Sequence, residues 1–190
     1  MSSKCYDYLA HIGEILEKVK TTQWDSIEKS AKKMAETIAA GHSVYIFGAS
    51  HAGILAQEMF YRTGGLAVVN AILPSEFMLN TRPVTQTSAM ERLEGYPTVI
   101  LNNSDVKKGD MLLLHSVSGR NTAAIEMAIK ASEMGVSTTA ITNMEYSTQV
   151  TSRHSSGKKL YEVCDVVIDN CGDFEDSSML LPGMKQKIAP

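Results

Sequence analysis

The sequence predicts an α/β fold, in which helices cover both faces of a five-stranded, mostly parallel sheet to give a three-layer αβα sandwich. Short apolar runs of strand length alternate along the chain with segments whose apolar residues recur at helical spacing. These runs are apolar on both faces, as is expected of strands buried between two helix layers. The length of 190 residues suits a single domain. We expect a helical pair at 1–41, followed by an α/β core at 42–190.

Two amphipathic helices are predicted ahead of the first strand. Apolar residues recur at helical spacing through residues 1–20. A second helix is expected to start with Asp25 as its N-cap and to end before Gly41. These helices are additions to the sheet core, so their apolar faces can be buried against that core or against another subunit.

The remaining elements follow in chain order, separated by glycine, proline or polar residues. The predicted strands are 43–47, 66–72, 112–114, 136–141 and 165–169. The predicted helices are 54–63, 123–134 and the shorter segments 76–79, 89–93, 146–150 and 160–164. The apolar residues at 98–101 fit either a strand or a helix. In such a sheet, ligands bind beyond the carboxyl ends of the strands, which directs attention to the turns at 48–53, 116–121 and 142–158.

Composition and charge narrow the classes of function. The net charge of −3 and the lack of a long basic run argue against nucleic acid as a partner. No stretch reaches transmembrane length and the N-terminus has no apolar signal-peptide core, so we expect a cytoplasmic protein that does not contact membranes. The three cysteines form no CxxC pair and fit reduced thiols. The five histidines lack metal-ligand spacing, so neither a metal nor a cofactor is expected.

The turn Ser116-Val117-Ser118-Gly119-Arg120-Asn121 carries the strongest functional signal. It ends a predicted strand and begins a predicted helix. The first backbone N–H groups of a helix lack intrahelical partners, and the helix dipole makes that end positive. Hydroxyls, an amide and an arginine beside such an end favour the binding of a phosphate or carboxylate. The alternative is that Ser118 or Asn121 only caps the helix, although one residue is enough for a cap.

The turn at 48–53 is a second candidate site. Its pattern G-x-S-x-x-G departs from the dinucleotide fingerprint at Ser50, and no acidic residue ends the following strand, which argues against NAD. The pattern also departs from a nucleophile elbow, because Ala52 stands where the last glycine belongs. What remains is a glycine turn that presents Ser50 and His51 to an anion or a sugar hydroxyl. A packing turn with a solvated histidine is the alternative.

The polar loop at 151–159 contains several further candidates, namely Arg153, His154, Ser155 and Lys158. One interpretation is a solvated loop, the usual fate of a run of charges. The other is a lid over the anion site, in which Arg153 or Lys158 supplies charge-assisted hydrogen bonds and His154 carries a proton.

Glu58 is the candidate carboxylate. It lies in the helix predicted at 54–63, which follows the first glycine turn. Glu58 either acts as a base beside the ligand or simply pairs with Arg62, four residues later on the same helix face.

Taken together, these residues resemble the SIS (sugar isomerase) domain family. The turn at 116–121 matches the S-x-S-G turn of that family. Similarity to its uncharacterised phosphosugar-isomerase-like members extends from about residue 43 to 183 and is strongest at 60–66, 118–121 and 152–162. The first turn departs from the G-x-G-H-S-H pattern of these relatives, because only His51 keeps its place. The metal-binding histidine of phosphoheptose isomerases would fall near Ala56, so zinc-assisted isomerisation is not expected.

The resemblance implies the SIS fold and a protein that binds a phosphorylated sugar or amino sugar, as a homodimer or homotetramer. It implies an aldose–ketose isomerase, in which His51 or His154 opens the ring and Glu58 moves a proton through an enediol. Two alternatives stay open: a non-catalytic sensor, and a lyase or deaminase acting on an amino-sugar phosphate. The implied phosphate contacts are Ser50, Ser116, Ser118, Gly119, Arg120 and Asn121, and the further substrate contacts are Arg153, Ser155 and Lys158.

Overall fold

The computed structural model describes residues 4–189 and contains one five-stranded sheet in the order β2-β1-β3-β4-β5. Every neighbouring pair of strands is parallel, so the predicted class is confirmed. β1 and β3 are adjacent at the centre, and Gly48 at the end of β1 is in register with His115 at the end of β3. The turns that follow these strands therefore meet at one edge of the sheet. The strands are β1 (Val44–Gly48), β2 (Val69–Ile72), β3 (Met111–His115), β4 (Ser137–Thr142) and β5 (Val166–Asp169).

The helices include two that precede the sheet, as predicted. The second starts one residue before Asp25, with Gln23 as its N-cap, so the prediction of Asp25 as the cap was wrong. The helices are α1 (Lys4–Thr22), α2 (Trp24–Ala39), α3 (Gly53–Met59), α4 (Gln86–Met90), α5 (Tyr96–Asn102), α6 (Thr122–Glu133) and α7 (Met144–Gln149). Single 3-10 turns lie at 50–52, 75–77, 160–162 and 174–176.

Alternate residues of the central strands enter two separate cores. On one face, Phe47, Leu112 and Leu114 pack with residues of α5 and α6. On the other face, Ile46 and Leu113 pack with residues of α2 and α3. The sheet is therefore covered on both sides, and its central strands are apolar throughout because both of their faces are buried.

Several predicted elements differ in length or type. The helix predicted at 76–79 is a single 3-10 turn at 75–77, and the one predicted at 89–93 lies at 86–90. α3 ends at Met59 rather than at residue 63, because Phe60 is extended and Tyr61 takes a positive φ of 47°. β2 is correspondingly short and begins at Val69. The ambiguous stretch at 98–101 belongs to α5, which follows Gly95 at φ +86° and carries a proline in its first turn.

α1 contacts α2 and has no buried residue of its own. Its side chains Tyr6, Leu9 and Leu16 are 73%, 64% and 63% exposed. A hydrogen bond connects this helix to the segment after β5, because His11 Nε2 lies 2.6 Å from Asp173 Oδ2. None of the helices described between residues 4 and 189 has the length and apolar character needed to cross a bilayer.

Candidate functional site

A cleft of about 270 Å³ opens where β1 and β3 end, between the turns at 48–53 and 116–121. This is the edge at which parallel sheets place their ligands. The lining includes seven of the predicted site residues: Ser50, His51, Ser116, Ser118, Arg120, Asn121 and Arg153. It also includes Ala49, Ala52, Val117, Tyr146 and Asp176.

The first wall is a tight turn built around Gly48. A Cβ on Gly48 would lie 2.3 Å from the carbonyl oxygen of Ala52, so only glycine lets the chain fold back this closely. The imidazole Nδ1 of His115, at the end of β3, lies 3.0 Å from the same carbonyl oxygen and links the two walls. Burial lowers the pKa of His115, which favours its neutral form.

The second wall depends on Gly119, which has a φ of +59°. A Cβ there would lie 2.7 Å from the hydroxyl of Ser147, which donates a 2.9 Å hydrogen bond to the carbonyl of Ser118. The Gly119 N–H donates to the carbonyl of Ser116 at 3.2 Å, and its own carbonyl accepts from Leu160 at 2.9 Å. The backbone of Gly119 thus holds the turn together.

Donor groups in the same turn are left over for a ligand. Within residues 4–189, the backbone N–H groups of Ser118, Arg120 and Asn121 donate to no carbonyl of the protein. The hydroxyls of Ser116 and Ser118 also bond no protein group in that range, although Ser116 is only 8% exposed. Unused donors beside the start of a 12-residue helix, α6, suit an anion.

Asn121 is the N-cap residue of α6, but its side chain does not cap the helix. The Asn121 Oδ1 accepts a 2.7 Å hydrogen bond from Arg153, and its Nδ2 donates to the carboxylate of Glu91. A guanidinium can only donate and a carboxylate can only accept, so these neighbours fix the orientation of the amide. The alternative in which Asn121 serves only as a cap does not fit this geometry.

Glu91, which directly follows α4, is a residue that sequence reasoning missed. One carboxylate oxygen accepts a hydrogen bond from the Ser50 hydroxyl and the other accepts from Asn121, so Glu91 bridges the two walls. Its backbone carbonyl also accepts from Ala123 N in the first turn of α6, at 3.0 Å. Glu91 lies in a proline-interrupted stretch without a motif, and nothing in the sequence signalled this long-range contact.

Two arginines, Arg120 and Arg153, line the cleft. Burial lowers the pKa of the Arg153 guanidinium and the charges of Arg120 and Arg92 lower it further, whereas the charge of Glu91 raises it, so Arg153 is repelled by two neighbouring cations. Arg120 donates from Nε to the carbonyl of Thr151 at 2.9 Å, which fixes its side chain toward the 151–159 loop. An anion placed among these cations would relieve their repulsion.

The 151–159 loop contributes Arg153 to the cleft, whereas His154, Ser155 and Lys158 do not line it. The His154 ring bonds the Ser156 hydroxyl at 2.8 Å, and the backbone N–H of Ser155 donates to Glu94. The loop is joined to the turn at 116–121, because Arg153 N donates to Arg120 O and Leu160 N donates to Gly119 O, each at 2.9 Å. Two main-chain hydrogen bonds therefore connect the loop to the turn at 116–121, and Arg153 is the loop residue that lines the cleft.

Glu58 lies apart from the cleft, on α3. Its side chain is 61% exposed and pairs with Arg62. Two other missed residues, Tyr146 and Asp176, do line the cleft. The Tyr146 ring packs edge-on against Phe174 with centroids 4.8 Å apart, and Asp176, two residues after Phe174, takes a positive φ of 56°. Among the residues from 4 to 189, no three His, Cys, Asp or Glu side chains come together as a metal site would require.

The fold and the sequence together define the class of protein. The SIS domain model matches residues 7–143, more than half of the chain, and the chain therefore belongs to the SIS domain family. Within it, the chain is a member of the UPF0309 group. It is 50% identical over 184 residues to the UPF0309 protein of Oceanobacillus iheyensis, covering 97% of this chain and 75% of that relative. It is 35% identical over 178 residues to the Streptomyces coelicolor UPF0309 protein, covering 93% and 71%.

Solved structures agree with this fold. The phosphoheptose isomerase of Neisseria gonorrhoeae superposes with a TM-score of 0.61 at 16% identity, over 88% of this chain and 86% of that one. A phosphoheptose isomerase from Francisella tularensis gives a TM-score of 0.61 at 17% identity, over 89% and 86%. At such identities the likeness establishes the shared fold.

Proposed function

We propose that this protein binds a phosphorylated sugar, with the phosphate on the turn at 116–121. The observation that carries the proposal is the set of unused donors there: the hydroxyls of Ser116 and Ser118, and the backbone N–H groups of Ser118, Arg120 and Asn121. Arg153 and Arg120 add positive charge beside them. Anions are bound in this way at helix N-termini, where dipole, N–H groups and cations act together. SIS family membership supports a sugar phosphate as the anion.

The first experiment is thermal unfolding with a panel of sugar phosphates and the matching unphosphorylated sugars. A ligand at a hundred times its Kd adds about 2.7 kcal/mol to the free energy of unfolding. We expect stabilisation by phosphorylated forms alone, and its loss in Ser118→Ala. Ser155→Ala is the matched control, because Ser155 does not line the cleft and its contact is with Glu94, which does not line the cleft either. No stabilisation of the wild type by any member of the panel would contradict the proposal.

We infer that the reaction is isomerisation of that sugar phosphate. The chemistry needs an acid–base group to open the ring and a carboxylate to move a proton between C1 and C2 through an enediol. His51, which lines the cleft and is exposed, is our candidate for ring opening. Glu58 is the proposed carboxylate. Glu58→Gln is then expected to abolish turnover and retain sugar-phosphate binding, whereas loss of both would mark Glu58 as structural.

A non-catalytic sugar-phosphate sensor is the second candidate, and the position of Glu58 favours it. In this chain the Glu58 carboxylate pairs with Arg62 and does not line the cleft. A sensor would be stabilised by the same ligands but would leave them chemically unchanged. NMR spectra of the best ligand, recorded over hours with the protein, separate the two candidates.

A further inference from the structure

We propose that Glu91 fixes the direction in which the ligand lies in the cleft, by making Ser50 a hydrogen-bond acceptor for the sugar. This inference rests on the proposed function, because it needs a ligand with a phosphate at one end and hydroxyl or amino groups at the other. It assigns Ser50 to the sugar end, whereas the family resemblance implied a place for Ser50 beside the phosphate.

The first step concerns the hydrogen of the Ser50 hydroxyl. A serine hydroxyl has one hydrogen to donate and two lone pairs with which to accept. The ionised carboxylate of Glu91 can only accept, so the Ser50 hydroxyl must donate its hydrogen to Glu91. Ser50 then has only lone pairs to present to the cleft, which it lines. It can receive a hydrogen bond from a ligand but cannot give one to a phosphate.

The second step concerns charge. The partners of the Glu91 carboxylate are the neutral groups of Ser50 and Asn121, and no ion pair with a lysine or arginine is formed by Glu91 in the described part of the chain. Arg153 is bonded to the far side of the Asn121 amide. Glu91 attracts Arg153 across the Asn121 amide, so these two charges partly offset each other. Over the described range 4–189, the Ser50 wall then presents acceptor lone pairs without a free cation of its own, which favours the O–H or N–H donors of a sugar over a phosphate there.

The third step concerns the opposite wall, where the polarity is reversed. The Ser116 and Ser118 hydroxyls and the free N–H groups of the turn are donors, and Arg120 and Arg153 carry the positive charge. A ligand with a phosphate at one end and hydroxyl or amino groups at the other matches both walls in one orientation only. Glu91 acts here through Ser50 and is a positioning residue.

The test compares two ligands, inorganic phosphate and glucose 6-phosphate, by calorimetric titration. Wild type is expected to bind the sugar phosphate more tightly than inorganic phosphate. Ser50→Ala should leave the Kd of inorganic phosphate unchanged and raise the Kd of glucose 6-phosphate about fivefold. A change of that size corresponds to the loss of one neutral hydrogen bond. Ser118→Ala is the reference variant at the phosphate end. It should raise the Kd of both ligands by the same factor. Both ligands are titrated into the same protein sample, so the ratio of their Kd values does not depend on how much of that sample is unfolded.

Glu91→Gln tests the positioning role itself. Glutamine removes the charge and no longer forces Ser50 to donate away from the cleft, so inorganic phosphate should bind as tightly as before or more tightly, and the preference for glucose 6-phosphate should shrink. Glu94→Gln, three residues further on, is the matched control and should keep the wild-type ratio.

Two sets of results would overturn the inference and leave phosphate binding intact. In one set, Ser50→Ala raises the Kd of both ligands by the same factor or changes neither Kd. In the other, Glu91→Gln leaves the ratio unchanged. A wild type that binds neither ligand would instead overturn the proposed function, and the inference with it.

Discussion

Gly119 combines two constraints in one residue, a backbone angle and a lack of space. Its φ is +59°, and a methyl group there would lie 2.7 Å from the Ser147 hydroxyl and 3.0 Å from that of Thr142. We expect Gly119→Ala to lower the free energy of unfolding by about 1–3 kcal/mol, as measured by urea denaturation, and to weaken phosphate binding.

Gly157 provides the matched control for that substitution. It has a φ of +72°, but no atom lies within 4 Å of the position that a methyl group would take, so Gly157→Ala carries the backbone strain without the collision. Gly157→Ala should therefore lower the free energy of unfolding less than Gly119→Ala does. Equal losses would show that crowding by Ser147 and Thr142 contributes nothing.

The cysteines differ sharply in their surroundings. Burial raises the pKa of the Cys164 thiol to about 12, whereas Cys5 lies exposed on α1. The thiolate is the reactive form, so native protein treated with iodoacetamide at pH 8 should be alkylated at Cys5 while Cys164 stays protected. Peptide mass spectrometry after timed quenching measures both rates, with urea-unfolded protein as the reference. Equal rates in the native protein would contradict this expectation.

At the scale of elements, α1 is held to the segment after β5 by the contact between His11 and Asp173. The hydrogen bond to Asp173 raises the pKa of His11 above its ordinary value of 6.5. Burial alone would raise the pKa of Asp173, but the hydrogen bonds from His11 and Ser178 leave it below its ordinary value of 3.8. The histidine contribution to stability is thus complete below pH 6.5 and is lost as the pH rises through the raised pKa. The aspartate contribution is lost as the pH falls through the lowered pKa.

The pair should consequently matter most in mildly acidic solution. His11→Gln is expected to lower the free energy of unfolding more at pH 5.5 than at pH 8.5, with a difference of about 0.2–1 kcal/mol because both side chains are partly exposed. Urea denaturation of wild type and variant at the two pH values measures it. In an Asp173→Asn background the pH dependence of the His11→Gln effect should shrink to the smaller part that Glu14, the other carboxylate beside His11, contributes. An undiminished pH dependence there would argue against the pair of His11 and Asp173.

The elements themselves were largely predictable, because burial on both faces leaves a plain signal in runs such as 111–115. The ends of elements were less predictable. α3 ends where Phe60 and Tyr61 take non-helical conformations, and no local sequence pattern predicts these conformations. The turns at 48–53 and 116–121 could be identified because helix starts have a recognisable chemistry. Glu91 could not, since its partners Ser50 and Asn121 are 41 and 30 residues away and only the folded sheet brings them together.

At the scale of the whole molecule, the apolar side of α1 is largely exposed. Leu9 and Leu16 are seven residues apart, so they lie on one face of the helix, and both are largely exposed. We expect the homodimer or homotetramer implied by the family resemblance to use this face. Leu9→Lys together with Leu16→Lys should shift the mass measured by light scattering toward that of a monomer.

Val99, a 52% exposed apolar residue on α5, supplies a control for the double substitution. Val99→Lys should leave the measured mass unchanged if the interface is on α1. A monomeric wild type, or a double variant with the wild-type mass, would contradict the assignment of this face.

The attachment of the 151–159 loop has a consequence for how the protein can diverge. The loop is joined to the turn at 116–121 through main-chain groups, Arg153 N to Arg120 O and Leu160 N to Gly119 O. Such bonds survive almost any exchange of side chain. Substitutions at positions such as Lys158, whose side chain does not line the cleft, should therefore leave these two bonds in place, so that the outer surface of the loop can change while the turn at 116–121 keeps its shape.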